Sequence, residues 1–275
     1  MAGDCLVLDS VTHLPDGVRG RVALCASHGG LYAAWCAAER GLAGVILHDA
    51  GIGRDRAGIA GLEWLARLGV PAAAVGHLSA RIGDGADCRA RGIVSAVNAP
   101  AASVGLAVGM RACEALERLA AAALPAPPAV PAMAEARREI AGAGRAGIRV
   151  FALDSNSLVA AEDAGHVIVT GSHGGLLGGR PETAVKHAVL AAVYNDAGGG
   201  IDGAGVSRLP ALDARGIAGA AVAAASARIG EAMSTWNDGI VSAVNRQAAR
   251  LGGRVGQSCR AFVAAVLDAA ARRIA

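Results

Sequence analysis

Apolar residues occur along this chain in short runs, and each run ends at a small group of polar residues and glycines. In the first third of the chain these runs cover residues 5–8, 22–26, 45–47 and 70–75, lengths that are typical of buried strands. Residues 57–68 separate the last two runs and carry apolar side chains at helical spacing. This alternation of strands and helices predicts a parallel sheet with helical crossovers.

The same order of apolar runs and polar groups recurs in the second half of the chain. Residues 48–98 align with residues 195–245 without a gap, and 25 of the 51 aligned positions are identical. Such self-similarity indicates a tandem repeat in which each copy forms the same unit. We therefore expect an α/β fold of two tandem duplicated α/β lobes with mainly parallel sheets, related by a pseudo-twofold.

The repeat divides the chain into three parts. We expect a first lobe over residues 1–118, an Ala/Pro-rich linker with a short helix over residues 119–147, and a second lobe over residues 148–275. The motif Gly-Ile-Val-Ser-Ala-Val-Asn occurs in both copies, at residues 92–98 and 239–245. We predict that it begins the closing helix of each lobe.

Five polar motifs are common to both copies, and each follows a predicted strand or opens a predicted helix. They are Leu-Asp-Ser, Ser-His-Gly-Gly, Asp-Ala-Gly-x-Gly-x-Asp, Ser-Ala-Arg-Ile-Gly with a following acid, and Gly-Ile-Val-Ser-Ala-Val-Asn. Ligands of open parallel sheets bind at the carboxyl ends of the strands, where loops and helix N-termini converge. The motifs therefore predict a site at this edge, in the cleft where the two lobes face each other.

The Ser-His-Gly-Gly motif supplies the first candidates for acid–base chemistry. An imidazole exchanges protons near neutral pH, and glycine N–H groups can hold an anion or an oxyanion. A tight turn in which the histidine bonds to the backbone is the structural alternative. The catalytic candidates are Ser27, His28, Ser172 and His173. The substrate-binding candidates are Gly29, Gly30, Gly174 and Gly175.

Carboxylates at the predicted strand ends form a second group of candidates. A carboxylate in this position can orient a histidine or bind a hard metal ion. The catalytic candidates of this group are Asp9, Asp49, Asp154 and Asp196. The second acid of the glycine-rich motif, Asp55 or Asp202, is expected to cap a helix. We predict no cofactor, although a divalent metal ion held by both lobes is an open alternative whose ligands are unknown.

The arginine of the Ser-Ala-Arg-Ile-Gly motif is a candidate for substrate binding. Arg81 and Arg228 can each hold a carboxylate or phosphate through two parallel hydrogen bonds. An ion pair with an acid of the same lobe is the alternative. The copies also differ, since His48 aligns with Asn195 and the second copy has an insert around residues 178–187. These differences favour one working site between unequal lobes over two identical sites.

Composition and charge exclude several classes of function. The net charge of +3 comes without a run of basic residues, so nucleic acid is not an expected partner. The longest apolar run, of about 12 residues, is too short to cross a membrane, and the start of the chain has no signal-peptide pattern. We expect a cytoplasmic protein, with a homo-oligomer as an open alternative. The six cysteines lack Cys-x-x-Cys spacing, which disfavours a zinc site or a disulfide framework.

Together these candidates favour an enzyme that acts on a small molecule. We expect a hydrolase of an amide or acyl bond in a small polar or anionic substrate, because amide-lined loops beside acid–base groups suit a tetrahedral intermediate. A racemase or isomerase with one acid–base group from each lobe is the first alternative. A small-ligand-binding protein without turnover is the second. Histidines facing each other across a dry cleft would favour the isomerase, whereas histidines with ordinary pKa values would favour the binding protein.

Overall fold

The apolar runs form two β-sheets in the computed structural model, which describes residues 5–274 and the side chains of residues 5–272. The first sheet has five strands in sequence order: β1 Leu6–Leu8, β2 Val22–His28, β3 Gly44–His48, β4 Ala72–Val75 and β5 Val94–Val97. The second has six, also in sequence order: β6 Arg137–Glu139, β7 Val150–Leu153, β8 Val167–His173, β9 Ala191–Asn195, β10 Ala218–Val222 and β11 Val241–Val244. Strands β1 to β4 and β7 to β10 are parallel, whereas β5, β6 and β11 pair antiparallel at the edges. This confirms an α/β fold with two lobes and mainly parallel sheets, while the pseudo-twofold remains a prediction.

Helices pack on both faces of each sheet. In the first lobe α1 Leu31–Glu39 and α2 Ala60–Arg67 pack on one face, and α3 Gly85–Arg91, α4 Ala99–Ser103 and α5 Ala112–Ala121 pack on the other. In the second lobe α6 Arg208–Ala214 packs on one face, and α7 Ala232–Asp238, α8 Arg246–Arg250 and α9 Cys259–Ile274 pack on the other. Among the described helices, none combines the length and the apolarity that a membrane span requires.

The central strands are buried on both faces, which explains why the sequence shows continuous apolar runs rather than alternation. All four residues of β4, Ala72 to Val75, have no solvent exposure. Alternate residues of this strand belong to the two hydrophobic clusters on opposite faces of the sheet. Three of the four side chains are methyl groups, so helices can approach the sheet closely from both sides.

The helix starts expected at residues 92–98 and 239–245 were wrong, because these segments form the edge strands β5 and β11. The antiparallel partners β4 and β10 supply their hydrogen bonds, a contact that the local sequence does not reveal. Helix α4 begins only after the strand. Asn98 precedes it, and its Oδ1 accepts hydrogen bonds from the N–H groups of Ala101 and Ala72, each at 2.9 Å.

The short helix expected in the linker was also wrong, because the ordered element there is strand β6. The N–H of Ile140 donates to Val150 O at 2.8 Å, and the N–H of Asp154 donates to Ala136 O at 3.0 Å. The guanidinium of Arg137 also lies 4.7 Å from the ring centroid of Phe151. Long-range contacts with β7 therefore decide the conformation of this segment, which has little pattern of its own.

The two lobes differ after the second strand of each parallel set. Strand β2 is followed by helix α1, whereas β8 is followed by two single turns, Leu177–Gly179 and Pro181–Thr183. Gly178 and Gly179 have φ values of +58° and +68°, and Pro181 cannot donate a helical hydrogen bond. These residues stop a helix from forming, and the second lobe has an irregular segment at this position.

The lobes meet where their glycine-rich loops cross. A Cβ placed on Gly51 would lie 2.8 Å from the Cα of Gly198, and one placed on Gly198 would lie 2.9 Å from the Cα of Gly51. Two main-chain hydrogen bonds of 2.8 Å also join the lobes, from Arg54 N to Ala224 O and from Ile201 N to His77 O. A small apolar cluster fills the interface, formed by Ala50, Ala57, Ile82, Ala197, Ala204 and Ile229.

We expect Gly51→Ala to destabilise the protein more than Gly69→Ala. Gly51 has a φ value of +73° and Gly69 one of +72°. An alanine at either position therefore has the same strain of a left-handed backbone, about 1–2 kcal/mol. Only the alanine at position 51 would also overlap the backbone of Gly198, since nothing lies within 4 Å of a Cβ on Gly69. Urea unfolding should show a further loss of about 1–3 kcal/mol for Gly51→Ala. Equal losses would mean that this crossing does not hold the lobes together.

Candidate functional site

A cavity of about 430 Å³ lies between the lobes at the ends of the parallel strands. Both predicted histidines, His28 and His173, line it, as do both serines of the same motif, Ser27 and Ser172. Hydroxyl groups from both lobes complete this part of the wall, namely those of Ser10, Thr12, Ser155 and Ser157. The structure thus brings the Ser-His pairs of the two lobes into one cavity.

The serines of this motif fix the adjacent turns. Ser27 Oγ accepts a hydrogen bond from Val11 N at 2.9 Å, and Ser172 Oγ accepts one from Asn156 N at 2.8 Å. Each bond ties the end of one parallel strand to the turn that follows its neighbour. The hydroxyl of Ser27 also donates to Ser10 Oγ at 3.5 Å.

Each histidine of the motif accepts a backbone hydrogen bond at Nδ1. The N–H of Gly30 donates to His28 and that of Gly175 donates to His173, both at 3.1 Å. Burial, together with the charge of His48, lowers the pKa of His28 to about 4. Burial also lowers the pKa of His173 well below its ordinary value, and the charges of nearby cationic groups lower it further. At neutral pH both imidazoles are therefore neutral, with the proton on Nε2.

The Ser-Ala-Arg-Ile-Gly motif packs across the lobes against these imidazoles. A Cβ on Gly83 of the first lobe would lie 3.3 Å from His173 Cε1, and one on Gly230 of the second lobe would lie 3.4 Å from His28 Cε1. Gly230 also lines the cavity. The glycine of this motif therefore allows each histidine to sit against the opposite lobe, which the sequence alone did not suggest.

The glycines predicted to bind substrate already have internal partners for their N–H groups. Gly30 and Gly175 donate to the imidazoles, as described, while Gly29 donates to His48 O at 2.7 Å and Gly174 to Asn195 O at 2.8 Å. Close packing also requires glycine here, because a Cβ on Gly29 or Gly174 would lie 2.8 or 2.5 Å from a main-chain oxygen. Anion binding by these four groups remains a prediction.

The carboxylates of the glycine-rich motif hold loops. Asp49 Oδ1 accepts hydrogen bonds from Gly51 N at 2.9 Å and from the main-chain N–H of His77 at 2.9 Å, and it lies 3.0 Å from His77 Nδ1. Asp196 Oδ1 accepts from Gly198 N at 2.9 Å and from Ala224 N at 2.8 Å. Neither set of bonds includes the two histidines that line the cavity.

The carboxylates of the Leu-Asp-Ser motif hold helix starts. Asp9 Oδ1 accepts from Gly85 N at 3.0 Å, and Asp154 Oδ1 accepts from Ala232 N at 2.9 Å. These bonds join β1 to α3 and β7 to α7. Of the two acids, Asp154 also lines the cavity.

The arginines of the Ser-Ala-Arg-Ile-Gly motif form ion pairs between the lobes. Arg81 lies 2.9 Å from Asp202 of the second lobe, and Arg228 lies 3.0 Å from Asp55 of the first. The expected helix caps at Asp55 and Asp202 were wrong, since both residues lie inside irregular turns with φ values of +53° and +58°. These contacts give both arginines partners within the protein, and neither lines the cavity described above; substrate binding by them remains a prediction.

His48 and Asn195, which differ between the copies, make equivalent hydrogen bonds. His48 Nδ1 accepts from Ala50 N at 3.1 Å and its Nε2 lies 3.0 Å from Ala80 O. Asn195 Oδ1 accepts from Ala197 N at 2.9 Å and its Nδ2 donates to Ala227 O at 3.1 Å. Both side chains have no solvent exposure. This difference between the copies therefore preserves one structural role.

Metal binding receives no support from the side chains that the structure describes. Among them, no group of three or more histidine, cysteine, aspartate or glutamate side chains is arranged to hold a metal ion.

Glu135 and Arg208 are among the cavity residues that the sequence analysis did not predict. Glu135 comes from the segment predicted as a linker, and burial raises its pKa to about 7, with a hydrogen bond to Ser155 lowering it and the charge of Asp154 raising it. Arg208 begins α6 and is 3% exposed. A signal for Arg208 existed, because it aligns with Gly61 in the ungapped part of the repeat. No comparable signal marks Glu135.

Comparison with known proteins adds no relative, since no family model, no curated protein and no solved structure matches the chain.

We expect His48→Asn to preserve stability at pH 8 and to reduce the loss of stability in acid. Asparagine makes the equivalent bonds at position 195, so the change should cost within about 1 kcal/mol. Burial lowers the pKa of His48 below its ordinary 6.5. As the pH falls below 6.5 the unfolded chain therefore binds a proton that the folded protein does not, and stability decreases.

Urea unfolding from pH 8 to pH 5 measures this effect. The matched control is Asn195→Ala, which removes both hydrogen bonds and should cost about 1–3 kcal/mol at every pH. A wild-type pH dependence in His48→Asn would show that this histidine is not buried in its neutral form.

Proposed function

We propose that this protein is a hydrolase that cleaves an amide or acyl bond of a small anionic molecule bound in the interlobe cavity. The observation that carries the proposal is a carboxyl group with a pKa near 7, Glu135, in the same cavity as two neutral imidazoles. Groups with a pKa near the working pH are the most effective general acids and bases.

Glu135 is suited to act as the general base. Its carboxylate can take a proton from a water molecule as the water oxygen bonds to the substrate carbonyl carbon. The same proton can then pass to the leaving nitrogen or oxygen as the carbon–heteroatom bond breaks. Ser155, whose hydroxyl bonds to Glu135 and lies 2.8 Å from Ser157 Oγ, is an alternative nucleophile at the same position.

The two imidazoles are suited to stabilise the negative oxygen of the tetrahedral intermediate. Because Nδ1 of each ring accepts a backbone hydrogen bond, Nε2 carries the proton and can donate a hydrogen bond to an oxygen. Burial keeps both rings neutral, so this donor remains available over a wide pH range. Fixed donors aimed at a developing oxyanion are among the strongest contributions to catalysis.

The racemase or isomerase receives less support from the same geometry. That reaction needs a ring nitrogen without a proton on one side of the substrate carbon. In His28 and His173 the unprotonated nitrogen is Nδ1, and it is already occupied by a backbone N–H. The non-catalytic binding protein is also less favoured, since the histidine pKa values are shifted and Glu135 is a group that can activate water.

We expect Glu135→Gln to lower kcat/KM by about 10²-fold or more, because glutamine cannot accept the proton. The assay uses a panel of small N-acylated amino acids and of small esters that carry a free carboxylate, and product formation is followed by NMR. Wild-type kcat/KM should rise with pH around 7 as the carboxyl group ionises. The matched control is Glu139→Gln, four residues further on at a half-exposed site, which should retain wild-type activity.

Stability separates this effect from structural damage. The folded-state pKa of Glu135 lies above its ordinary value of 4.5, so its contribution to stability is lost as the pH rises from 4.5 through 7. Glu135→Gln should consequently be at least as stable as the wild type at pH 8. If the wild-type protein binds members of the panel saturably but does not turn them over, the hydrolase hypothesis is contradicted and the non-catalytic binding protein is the remaining alternative.

We expect His28→Asn and His173→Asn each to lower turnover by about 10²-fold, through loss of the Nε2 donor. Asparagine can still accept the backbone hydrogen bond, as Asn195 does, so stability should change by no more than about 1 kcal/mol. Kinetics and thermal unfolding of both variants test this. A loss of several degrees in Tm with turnover retained would identify the histidines as residues that only hold their turns.

A further inference from the structure

We propose that Arg208 binds the carboxylate of a monoanionic ligand in the interlobe cavity. The inference deepens the proposed function by naming the substrate class, and it assigns one end of the cavity to this group.

Arg208 is a buried cation without an acidic partner. Its Nη1 donates to the main-chain oxygens of Thr183 and Ala184, and its Nε is buried without a hydrogen bond. None of the ion pairs among the described residues includes it. Burial lowers its pKa, and the one opposing influence is Tyr194, whose ring centroid lies 5.2 Å from the guanidinium. A buried charge of this kind is costly unless another charge compensates for it.

Because of the position of Arg208, we infer that a bound ligand supplies the compensating negative charge. The residue lines the cavity together with His173, whose pKa its charge lowers. At the aligned position of the first lobe, Gly61 has no room for a side chain, since a Cβ would lie 2.5 Å from Ala34 Cβ and 2.6 Å from Gly30 O. The first lobe therefore has no cation equivalent to Arg208 at this position, and the two ends of the cavity differ.

The charges around the cavity favour a single carboxylate. Nη1 is occupied by main-chain oxygens, so Nε and Nη2 are the guanidinium nitrogens that remain for an anion. One buried cation compensates one negative charge. The other charged residues that line the cavity are the exposed Lys186 and three acids, Glu135, Asp154 and Glu182, so the acids outnumber this second cation and oppose a second negative charge. A monocarboxylate satisfies both conditions better than a phosphate dianion.

The alternative is that Arg208 only braces the irregular segment after β8. Arg215 provides the control, because it also donates to this segment, from Nη1 to Val185 O at 2.6 Å. Its side chain is exposed and does not line the cavity. A bracing role predicts similar effects of changing either arginine, whereas carboxylate binding predicts effects at Arg208 alone.

The test uses propionate, propionamide and inorganic phosphate as probes, at one pH and ionic strength. Thermal shift and NMR titration should show that propionate binds the wild-type protein and raises its Tm, while propionamide does neither. Arg208→Lys should weaken propionate binding at least tenfold, because lysine lacks the planar pair of donors. Arg215→Lys should bind propionate like the wild type.

Three results would overturn the proposal. They are equal binding of propionate and propionamide, wild-type propionate affinity in Arg208→Lys, and stronger Arg208-dependent binding of phosphate than of propionate. If Arg208→Lys does not fold, the wild-type protein still decides the question. Propionate should shift a slowly exchanging arginine Nε–H resonance that propionamide leaves unchanged, and the absence of such a shift would also overturn the proposal.

Glu135→Gln separates this proposal from the proposed function. It retains Arg208 and should bind propionate, so binding without any effect of Glu135 on turnover would contradict the hydrolase alone. Conversely, suppose that turnover depends on Glu135 and yet is unchanged by Arg208→Lys and by removal of the substrate carboxylate. That result would contradict the carboxylate site alone.

Discussion

The close crossing of the two glycine-rich loops is the constraint on which the rest of the structure depends. Gly51 and Gly198 approach so closely that neither position has room for a Cβ. This approach brings the carboxyl ends of both parallel sheets to one place, where each histidine packs against a glycine of the opposite lobe. The interlobe ion pairs and the small apolar cluster fix the same arrangement from the sides. The cavity lined by both histidines lies between the lobes that this contact holds together.

Residues common to both copies mostly do structural work, and much of the distinctive chemistry comes from residues that differ. Asp49, Asp196 and the motif serines hold loops with backbone hydrogen bonds. Arg208, by contrast, aligns with Gly61, and Glu135 lies outside the aligned segments. The residues that the two aligned segments share hold the loops of each lobe, whereas one asymmetric site needs groups on one side alone. Identity between copies is therefore a good guide to the location of the site and a poor guide to its charges.

The extent to which the sequence predicted the structure depends on the range of the interactions involved. The parallel strands and their polar ends follow from local apolar runs, so His28 and His173 could be placed at strand ends before any coordinates. Strands β5, β6 and β11 depend on antiparallel partners elsewhere in the chain, and their own residues do not reveal them. Glu135 lies in an Ala/Pro-rich segment whose course is set by β7, so nothing nearby marks it as a cavity residue. Arg208 could have been found from the replacement of Gly61, since a charged residue aligned with a packed glycine must occupy different surroundings.

Removal from water is the largest influence on the pKa values of the two imidazoles and of Glu135 in the cavity. It favours the neutral form of the imidazoles and raises the pKa of Glu135, so histidines become donors and a carboxyl group becomes the titrating residue near neutral pH. Arginine resists this neutralisation because its ordinary pKa is far above 7, so Arg208 stays charged while the two imidazoles are neutral. The cavity therefore separates its tasks: a permanent charge that can fix an anion, neutral donors that can meet a developing oxyanion, and one group that can exchange a proton. The hydrolysis of a carboxylate-bearing substrate that we propose would use these three properties together, whereas binding alone would use only the first.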